Sequence, residues 1–129
     1  MPMHQLTLNT NSRRQIVDIT AEVAAALADA GDGLACISVP HCTCAVYVNE
    51  NESGLVQDTL ALIDRLSAGA WQHDRIDDNA DAHLAASLIG SSVCLPVQQG
   101  CLVLGTWQRV MLVELDGPRR RTINVTVVS

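Results

Sequence analysis

Alternating and continuous apolar segments predict that much of this chain is built from short strands. Residues 3–8 alternate apolar and polar side chains, which is typical of a strand with one buried face. Apolar runs without alternation, such as 34–39 and 45–48, favour buried strands. From these patterns we predict strands at 3–8, 15–19, 34–39, 45–48, 92–97, 102–104, 110–115 and 122–128.

Three other segments have helical signals. Thr20 is a candidate N-cap for an alanine-rich helix that we predict through about residue 30, with Gly31 as its candidate end. Apolar residues recur at helical spacing over 55–66, and Asn79 can cap a short helix that ends before Gly90. Because strands and helices do not alternate regularly, this order predicts an α+β fold with a mostly antiparallel sheet or sandwich and two to three helices. No linker or repeat interrupts the sequence, so we predict one domain over residues 1–129.

Composition narrows the chemistry that this fold can perform. The 129-residue chain has eight basic residues, all of them arginine, and a formal net charge of −6. Without lysine, it can form neither a P-loop lysine contact to a nucleotide nor a lysine Schiff base. A net acidic chain also lacks the cationic field that drives broad nucleic-acid binding, so we expect no nucleic-acid partner.

The five cysteines indicate a reducing compartment. Their number is odd and none form a C-x-x-C pair, so neither a disulfide framework nor a cysteine-rich zinc module is favoured. Cys42 and Cys44 form a C-x-C, which is a weak metal signal, and we favour the interpretation of these cysteines as small buried hydrophobic residues. No apolar stretch approaches the ~20 residues of a membrane span, and we identify no signal peptide. We therefore expect a soluble cytoplasmic protein with no membrane partner.

Three histidines lie in polar segments at the ends of predicted elements. His41 follows a strand, His73 opens an acidic stretch, and His83 lies on the short third helix. Three imidazoles with one open position would form a catalytic zinc site. The alternative is that each histidine lies at the surface or is hydrogen-bonded within the core.

Two carboxylates are candidates for acid–base chemistry. Glu50 directly follows a buried strand, and Asp81 precedes His83 by two residues. Either could act as a general base or support a metal. The alternative is a solvated acidic loop with charges at a helix N-terminus.

Three consecutive arginines, at 119–121, are a candidate anion site. Strand alternation predicts that Arg119 and Arg121 point to one face and Arg120 to the other. Two convergent guanidinium groups suit phosphate or carboxylate. The alternative is an edge strand protected by charge. Trp107 could stack on a substrate or anchor the core.

Several sequence blocks resemble the YjbQ-like family, whose members are often labelled secondary thiamine-phosphate synthase. The blocks are His41-x-Thr43, Asn49-Glu50-Asn51, Asn79-x-Asp81-Ala82-His83-Leu84, Leu104-Gly105-Thr106-Trp107-Gln108 and Asp116-Gly117-Pro118-Arg119-x-Arg121. They run in order from about residue 34 to the end, and together they are highly specific. The resemblance implies an α+β chain that assembles as a homotrimer, with a polar site near the subunit interfaces.

The resemblance also implies a set of site residues and an activity. His41, His73 and His83 would hold a divalent metal, commonly zinc, and magnesium would suit a pyrophosphate substrate. Glu50 and Asp81 would be catalytic, and Asn49, Trp107, Gln108, Arg119 and Arg121 would bind substrate or anion. The reaction joins a pyrimidine pyrophosphate to a thiazole phosphate and releases pyrophosphate.

Two other functions fit the same residues. A metal-dependent hydrolase of a small phosphorylated metabolite would also use three histidines and a carboxylate base. A trimeric module that binds a metal or metabolite without catalysis would need the same ligands and no base.

Overall fold

The computed structural model describes residues 3–129, and it confirms the predicted α+β class. The described part of the chain forms eight strands, three α-helices and one 3₁₀ turn. In chain order these are β1 Met3–Asn9, β2 Gln15–Asp18, α1 Thr20–Ala26, β3 Gly33–Ser38, β4 Cys44–Asn49, α2 Ser53–Ser67, the 3₁₀ turn Gln72–Arg75, α3 Ala80–Ile89, β5 Ser92–Gln98, β6 Cys101–Leu102, β7 Arg109–Glu114 and β8 Arg120–Val128.

The strands form two antiparallel sheets. The five-stranded sheet has the order β1-β8-β3-β5-β6, and the three-stranded sheet has the order β2-β7-β4. All pairs are antiparallel. The prediction of a mostly antiparallel arrangement is therefore confirmed.

The main core lies between the two sheets, and α1 closes one side of it. Buried side chains from β3, β5 and β8 meet those of β4 and β7, and Val23 and Leu27 of the α1 segment join them. Each fully buried aliphatic side chain of this kind stabilises the fold by about 1.5–3 kcal/mol. The alternation of buried and half-exposed residues along β8 places one face of that strand in this core.

A second core lies on the opposite face of the three-stranded sheet. Ala45, Val113 and Leu115 pack there against Ile63 of α2 and several small residues of α3. The α3 alanines, which are buried, let that helix approach the sheet closely. Because β7 is covered on both faces, its sequence is a continuous apolar run rather than an alternating one.

A few element boundaries differ from the predicted ones. Helix α1 ends at Ala26 instead of about 30, because the next turn bonds residue i to i−3: the N–H of Leu27 donates to the carbonyl of Ala24. The 3₁₀ turn at 72–75 has no counterpart in the predicted elements. Within residues 3–129, no helix combines the length and apolarity that a membrane crossing requires.

Candidate functional site

The predicted site residues are divided between the two ends of β4 and β7. In this antiparallel pair Cys44 lies opposite Glu114, and Asn49 lies opposite Arg109. We call these the histidine end, at Cys44 and Glu114, and the tryptophan end, at Asn49 and Arg109. Five residues of strand separate the two ends, which is about 17 Å.

A buried ion pair organises the histidine end. The side chain of Arg121 is 3% exposed and that of Glu114 is 0% exposed. Arg121 Nε donates to Glu114 Oε1 at 2.8 Å. Arg121 Nη2 donates to Glu114 Oε2, and it also donates to the Thr43 hydroxyl at 2.9 Å. The Thr10 hydroxyl donates to Glu114 Oε1 at 2.7 Å. Arg121 Nε and Nη2 are thus committed to protein partners, and the contacts with Thr43 fix the loop that carries His41.

Electrostatics keep this pair charged. Burial alone would raise the pKa of Glu114, but the hydrogen bonds from Arg121 and Thr10 outweigh it and lower the pKa. For Arg121, burial opposes the charged form, while the bond to Glu114 raises the pKa. A buried carboxylate and a buried guanidinium are tolerated here because each satisfies the other.

His41 is held as a neutral imidazole. Its Nε2 accepts a hydrogen bond from the Thr122 N–H at 2.8 Å. Burial, and then the charge of Arg121, lower the pKa of His41 below its ordinary value. The bond to Thr122 sets the tautomer, so Nδ1 carries the proton and is the hydrogen-bond donor of the ring.

A chain of polar contacts links His73 to Arg119. Nε2 of His73 lies 3.1 Å from Asn79 Oδ1, and Asn79 Nδ2 donates to Asp116 Oδ2 at 2.9 Å. Arg119 donates to the same Asp116 oxygen at 3.1 Å and to the Asp116 carbonyl at 2.8 Å. Burial would raise the pKa of Asp116, but the bonds from Asn79 and Arg119 lower it. This chain positions Arg119, which is still 54% exposed on its side chain.

Three adjoining clefts surround these residues. One, of about 460 Å³, is lined by His41 and the 118–121 segment. The next, of about 330 Å³, lies between His41 and His83 and also contacts Cys42 and Cys44. The third, of about 420 Å³, is lined by His83, His73 and Trp71. His41 and His83 each line two of these clefts. The clefts therefore form a series that runs from the 118–121 segment, past the two imidazoles, to the aromatic surface at Trp71.

The three predicted metal ligands line adjoining clefts, but they do not form a ligand shell as arranged. The His73 and His83 rings meet edge to face at 4.6 Å, and His83 shares a cleft with His41. Nε2 of His41 is used by Thr122 and its Nδ1 carries the proton, so this ring has no free lone pair. Over residues 3–129, no three His, Cys, Asp or Glu side chains are grouped so that they could hold a metal ion. Zinc at these histidines stays a prediction.

Asp81, a predicted catalytic carboxylate, is engaged in ion pairs. It accepts from Arg13 at 3.0 Å and from Arg14 at 2.8 Å. Arg14 also pairs with Asp64 of α2. These contacts tie the N-terminal end of α3 to the segment before β2, so Asp81 has a structural role in this chain.

The tryptophan end holds the other predicted residues. A cleft of about 310 Å³ contacts Glu50, Trp107, Asp18 and Arg109, and Trp107 is 72% exposed. Asp18 accepts from Arg109 Nε at 2.7 Å. Burial would raise the pKa of Asp18, but the bonds from Arg109 and Thr20 lower it to about 2.

Asn49 and Gln108 also lie at the tryptophan end, where both bond local backbone. Asn49 Oδ1 accepts from the Glu50 N–H at 2.8 Å, and Gln108 Oε1 accepts from the Gly105 N–H at 2.7 Å. The predicted substrate-binding residues therefore do not meet within one chain. Asn49, Glu50, Trp107 and Gln108 lie at one end, and Arg119, Arg121 and the three histidines lie at the other.

The predicted shared face for Arg119 and Arg121 is not found. Arg119 precedes β8 and is exposed, whereas Arg121 is the first inward-facing residue of that strand. Arg120 is exposed and lines the same cleft as Arg119. Arg119 and Arg120 are therefore the exposed arginines that line this cleft.

Two supporting residues were missed as site residues by the sequence reasoning. Glu114 is an acid inside an apolar strand, and a buried acid requires a cationic partner. Asp116 belongs to the Asp-Gly-Pro-Arg block, but its role in orienting Arg119 depends on contact with Asn79. The sequence therefore contains a signal for Glu114, whereas the role of Asp116 can be recognised only from the folded structure.

Comparisons with known proteins identify the family. The sequence profile described as "UPF0047 protein YjbQ-like" matches residues 4–129. A UPF0047 protein of Archaeoglobus fulgidus is 46% identical over 123 residues, covering 94% of this chain and 97% of the relative. A UPF0047 protein of Bacillus subtilis is 36% identical over 130 residues, covering 96% of this chain and 97% of the relative.

Solved structures agree with this assignment. A hypothetical protein of Aeropyrum pernix K1 superposes with a TM-score of 0.96 at 43% identity, covering 100% of this chain and 99% of that one. A YbjQ-like protein of unknown function from Sulfolobus solfataricus P2 has a TM-score of 0.93 at 40% identity, covering 96% and 94% of the two chains. The chain belongs to the UPF0047 family of YjbQ-like proteins.

Proposed function

We propose that the clefts at the histidine end bind a small phosphorylated metabolite with a planar ring, and that the protein catalyses thiamine-phosphate synthesis. The observation that carries this proposal is the connection of the exposed arginines to the Trp71 surface through His41 and His83. Such a series of clefts matches a substrate with an anion at one end and a ring at the other. The choice of reaction follows the family resemblance.

The anionic group would lie against Arg119 and Arg120. Both guanidinium groups are exposed at one cleft, and Asp116 holds the first of them in place. Arginine recognises phosphate through paired hydrogen bonds, and two cations suit the charge of a pyrophosphate. The Nδ1–H of His41 supplies a neutral donor at the same cleft.

The ring would lie at the other end of the series. Trp71 is 41% exposed, and with Leu84, His73 and His83 it forms a surface that is mostly apolar and aromatic. The π faces of these rings attract a cationic carbon centre. Ring stacking and anion binding therefore act on opposite ends of one ligand.

In the proposed reaction, the bond between the pyrimidine methylene carbon and the pyrophosphate oxygen breaks. The electron pair leaves with pyrophosphate, whose growing charge is stabilised by Arg119, Arg120 and the His41 N–H. The thiazole nitrogen donates its electron pair to the carbon, forming the new C–N bond. The aromatic surface stabilises positive charge on the carbon while neither bond is complete.

The assembly is the second part of the proposal. Glu50 is remote from the histidines within one chain. The tryptophan end of a neighbouring copy, however, could bring that copy's Glu50 beside them. The tryptophan end exposes Trp107 next to Glu50, and the histidine end exposes two arginines. A large exposed indole ringed by polar groups is typical of an interface anchor. We infer a head-to-tail homotrimer in which the tryptophan end of one copy contacts the histidine end of the next.

Turnover of the two phosphorylated precursors tests the proposed activity. Purified protein is incubated with the pyrimidine pyrophosphate, the thiazole phosphate and Mg²⁺, and thiamine phosphate is measured as its fluorescent oxidation product. We expect product from the wild type, and a loss of about tenfold or more in Arg119→Ala. Arg65→Ala, which changes an exposed arginine of α2, is the matched control. Absence of product from the wild-type protein would contradict the proposal.

Solution mass tests the proposed trimer. Light scattering should give about three times the 13.8 kDa chain mass. Trp107→Ala should shift the protein towards monomers, whereas Arg65→Ala, at an exposed position of α2, should leave its mass unchanged. A monomeric wild type would rule out the trimer.

Zinc is part of the resemblance and has its own test. Binding at His41 would require this ring to exchange its bond with the Thr122 N–H for a metal bond. Elemental analysis of protein prepared without chelators should then find zinc in the wild type and less in His83→Ala. A zinc-free wild-type protein that still turns over would remove the metal from the proposal.

One observation favours a second candidate, a binding module without catalysis. Of the two predicted catalytic carboxylates, Asp81 is engaged by two arginines and Glu50 lies at the far end of β4. Within one chain, neither is placed as a base beside the clefts. Tight pyrophosphate binding without turnover of either precursor would favour this candidate.

A further inference from the structure

Two cysteines lie directly opposite each other on the outer face of the five-stranded sheet. Cys36 of β3 is paired with Cys94 of β5. Residues opposite each other in an antiparallel pair share a face, and the neighbours of Cys36, Ala35 and Ile37, point into the core. The two thiols therefore project outwards together, with Cys94 exposed and Cys36 half-buried.

Backbone hydrogen bonds show which type of pair this is. The Val39 N–H donates to the carbonyl of Ser91, which lies opposite it at the continuation of the same register. Hydrogen-bonded and non-hydrogen-bonded pairs alternate along an antiparallel ladder. Three positions away, Cys36 and Cys94 are therefore a non-hydrogen-bonded pair, in which side chains are closer.

The pairing of β5 with its other neighbour, β6, independently shows that Cys36 and Cys94 form a non-hydrogen-bonded pair. The carbonyl of Pro96 accepts from the Val103 N–H, so the hydrogen-bonding groups of Pro96 point away from β3. Cys94 is two residues earlier on the same strand and has the same orientation. Two separate contacts thus define the pairing at the cysteines.

This geometry suits a disulfide. Non-hydrogen-bonded pairs have Cα atoms about 4.5 Å apart, and disulfides span Cα separations of about 4.4–6.8 Å. The thiols also sense each other: burial raises the pKa of Cys36, and the adjacent Cys94 thiol raises it further. The reduced pair is therefore close enough to be oxidised without a change of register.

We propose that Cys36 and Cys94 form a redox-sensitive dithiol site whose co-reactant is a low-molecular-weight disulfide such as oxidised glutathione. The exposed Cys94 thiolate attacks one glutathione sulfur, and the other glutathione leaves as a thiolate. Cys36 then loses its proton to water and attacks the Cys94 sulfur, which releases the second glutathione. Two protein thiols are oxidised, and one glutathione disulfide is reduced to two thiols.

The site lies on the two strands whose ends lead to the clefts at the histidine end. β3 continues through Pro40 to His41, and β5 is preceded by Ser91, which lines the cleft between His41 and His83. A bridge between the strands would join the two backbone segments that enter this cleft. Its chemistry nevertheless does not depend on the proposed activity.

Mass spectrometry of the native protein tests the site. After incubation with oxidised glutathione, we expect a loss of two hydrogens, two fewer titratable thiols, and a peptide that links Cys36 to Cys94. Dithiothreitol should reverse all three changes. Cys36→Ser removes the resolving thiol, so glutathione should remain attached to Cys94 as a stable adduct.

Cys101→Ser is the matched control, since Cys101 is an exposed thiol opposite Gln98 rather than opposite another cysteine. This variant should form the bridge as the wild type does. Recovery of Cys36 and Cys94 in the wild type as separate thiols, or as separate adducts, would overturn the proposal.

Discussion

The two ends of the β4–β7 pair differ in how far a single chain completes them. At the histidine end, Arg121 and Glu114 are almost fully buried, and Arg121 Nε and Nη2 donate to Glu114 and Thr43. At the tryptophan end, the comparable pair of Asp18 and Arg109 is partly exposed, and Trp107 projects into solvent. The first end is preorganised by the fold itself. The second has the character of a surface that another molecule covers.

The largest expected difference between the ends is in stability. Glu114→Gln leaves the buried Arg121 without a counter-charge, which should lower the free energy of unfolding by about 3–5 kcal/mol. Arg109→Gln breaks the exposed pair at the other end and should lower it by less than about 1 kcal/mol. Urea unfolding of both variants measures the contrast.

A double replacement sharpens this comparison. Glu114→Leu with Arg121→Met removes both charges together and should recover much of the stability that Glu114→Gln loses. Losses of similar size in Glu114→Gln and Arg109→Gln would contradict the contrast between the ends.

The next effect concerns pH at the tryptophan end. The pKa of Asp18 is lowered from 3.8 to about 2 in the folded protein. A lowered folded-state pKa stabilises the protein above the unfolded value, so this contribution is present above about pH 4 and is lost as pH falls through about 2. It amounts to at most about 2 kcal/mol, because solvent screens this partly exposed pair.

Asp18→Asn measures this contribution. Its unfolding free energy should fall less steeply between pH 4 and 2 than that of the wild type. An identical slope in the two proteins would show that Asp18 is not the group responsible.

The smallest expected effect is in anion binding. Arg119→Ala should weaken binding of inorganic pyrophosphate about tenfold in calorimetric titration, which corresponds to about 1.4 kcal/mol. Arg65→Ala, which removes an exposed cation of α2 instead, should leave the affinity nearly unchanged. Equal losses would mean that the anion is not localised at the histidine end.

The fold was largely predictable from the sequence because its elements obey local rules. Strand β8 alternates, helix α2 has helical spacing, and Gly90 follows the last residue of α3 with a positive φ of 103°. The end of α1 was less predictable. Its alanines continue to favour a helix beyond Ala26, and the tighter turn that replaces it is set by tertiary packing of Leu27.

The site was predictable only in part. His83 contacts His73 and shares a cleft with His41, but the sequence did not show that Arg121 is buried against Glu114. The position of Glu50 follows from a simpler fact, because His41 and Glu50 flank the same strand. Residues at opposite ends of one extended segment cannot meet in the same chain.

Subunit mixing tests the central claim most directly, namely that the two ends act together only across a subunit interface. Glu50→Gln impairs the tryptophan end alone and Arg119→Ala the histidine end alone, so each homotrimer should have little thiamine-phosphate synthesis. In any mixed trimer, one site combines an intact histidine end with an intact neighbouring tryptophan end. Random mixing in equal amounts should therefore restore about a quarter of the wild-type activity. Mixed trimers that form but regain no activity, beside an active wild type, would contradict the account.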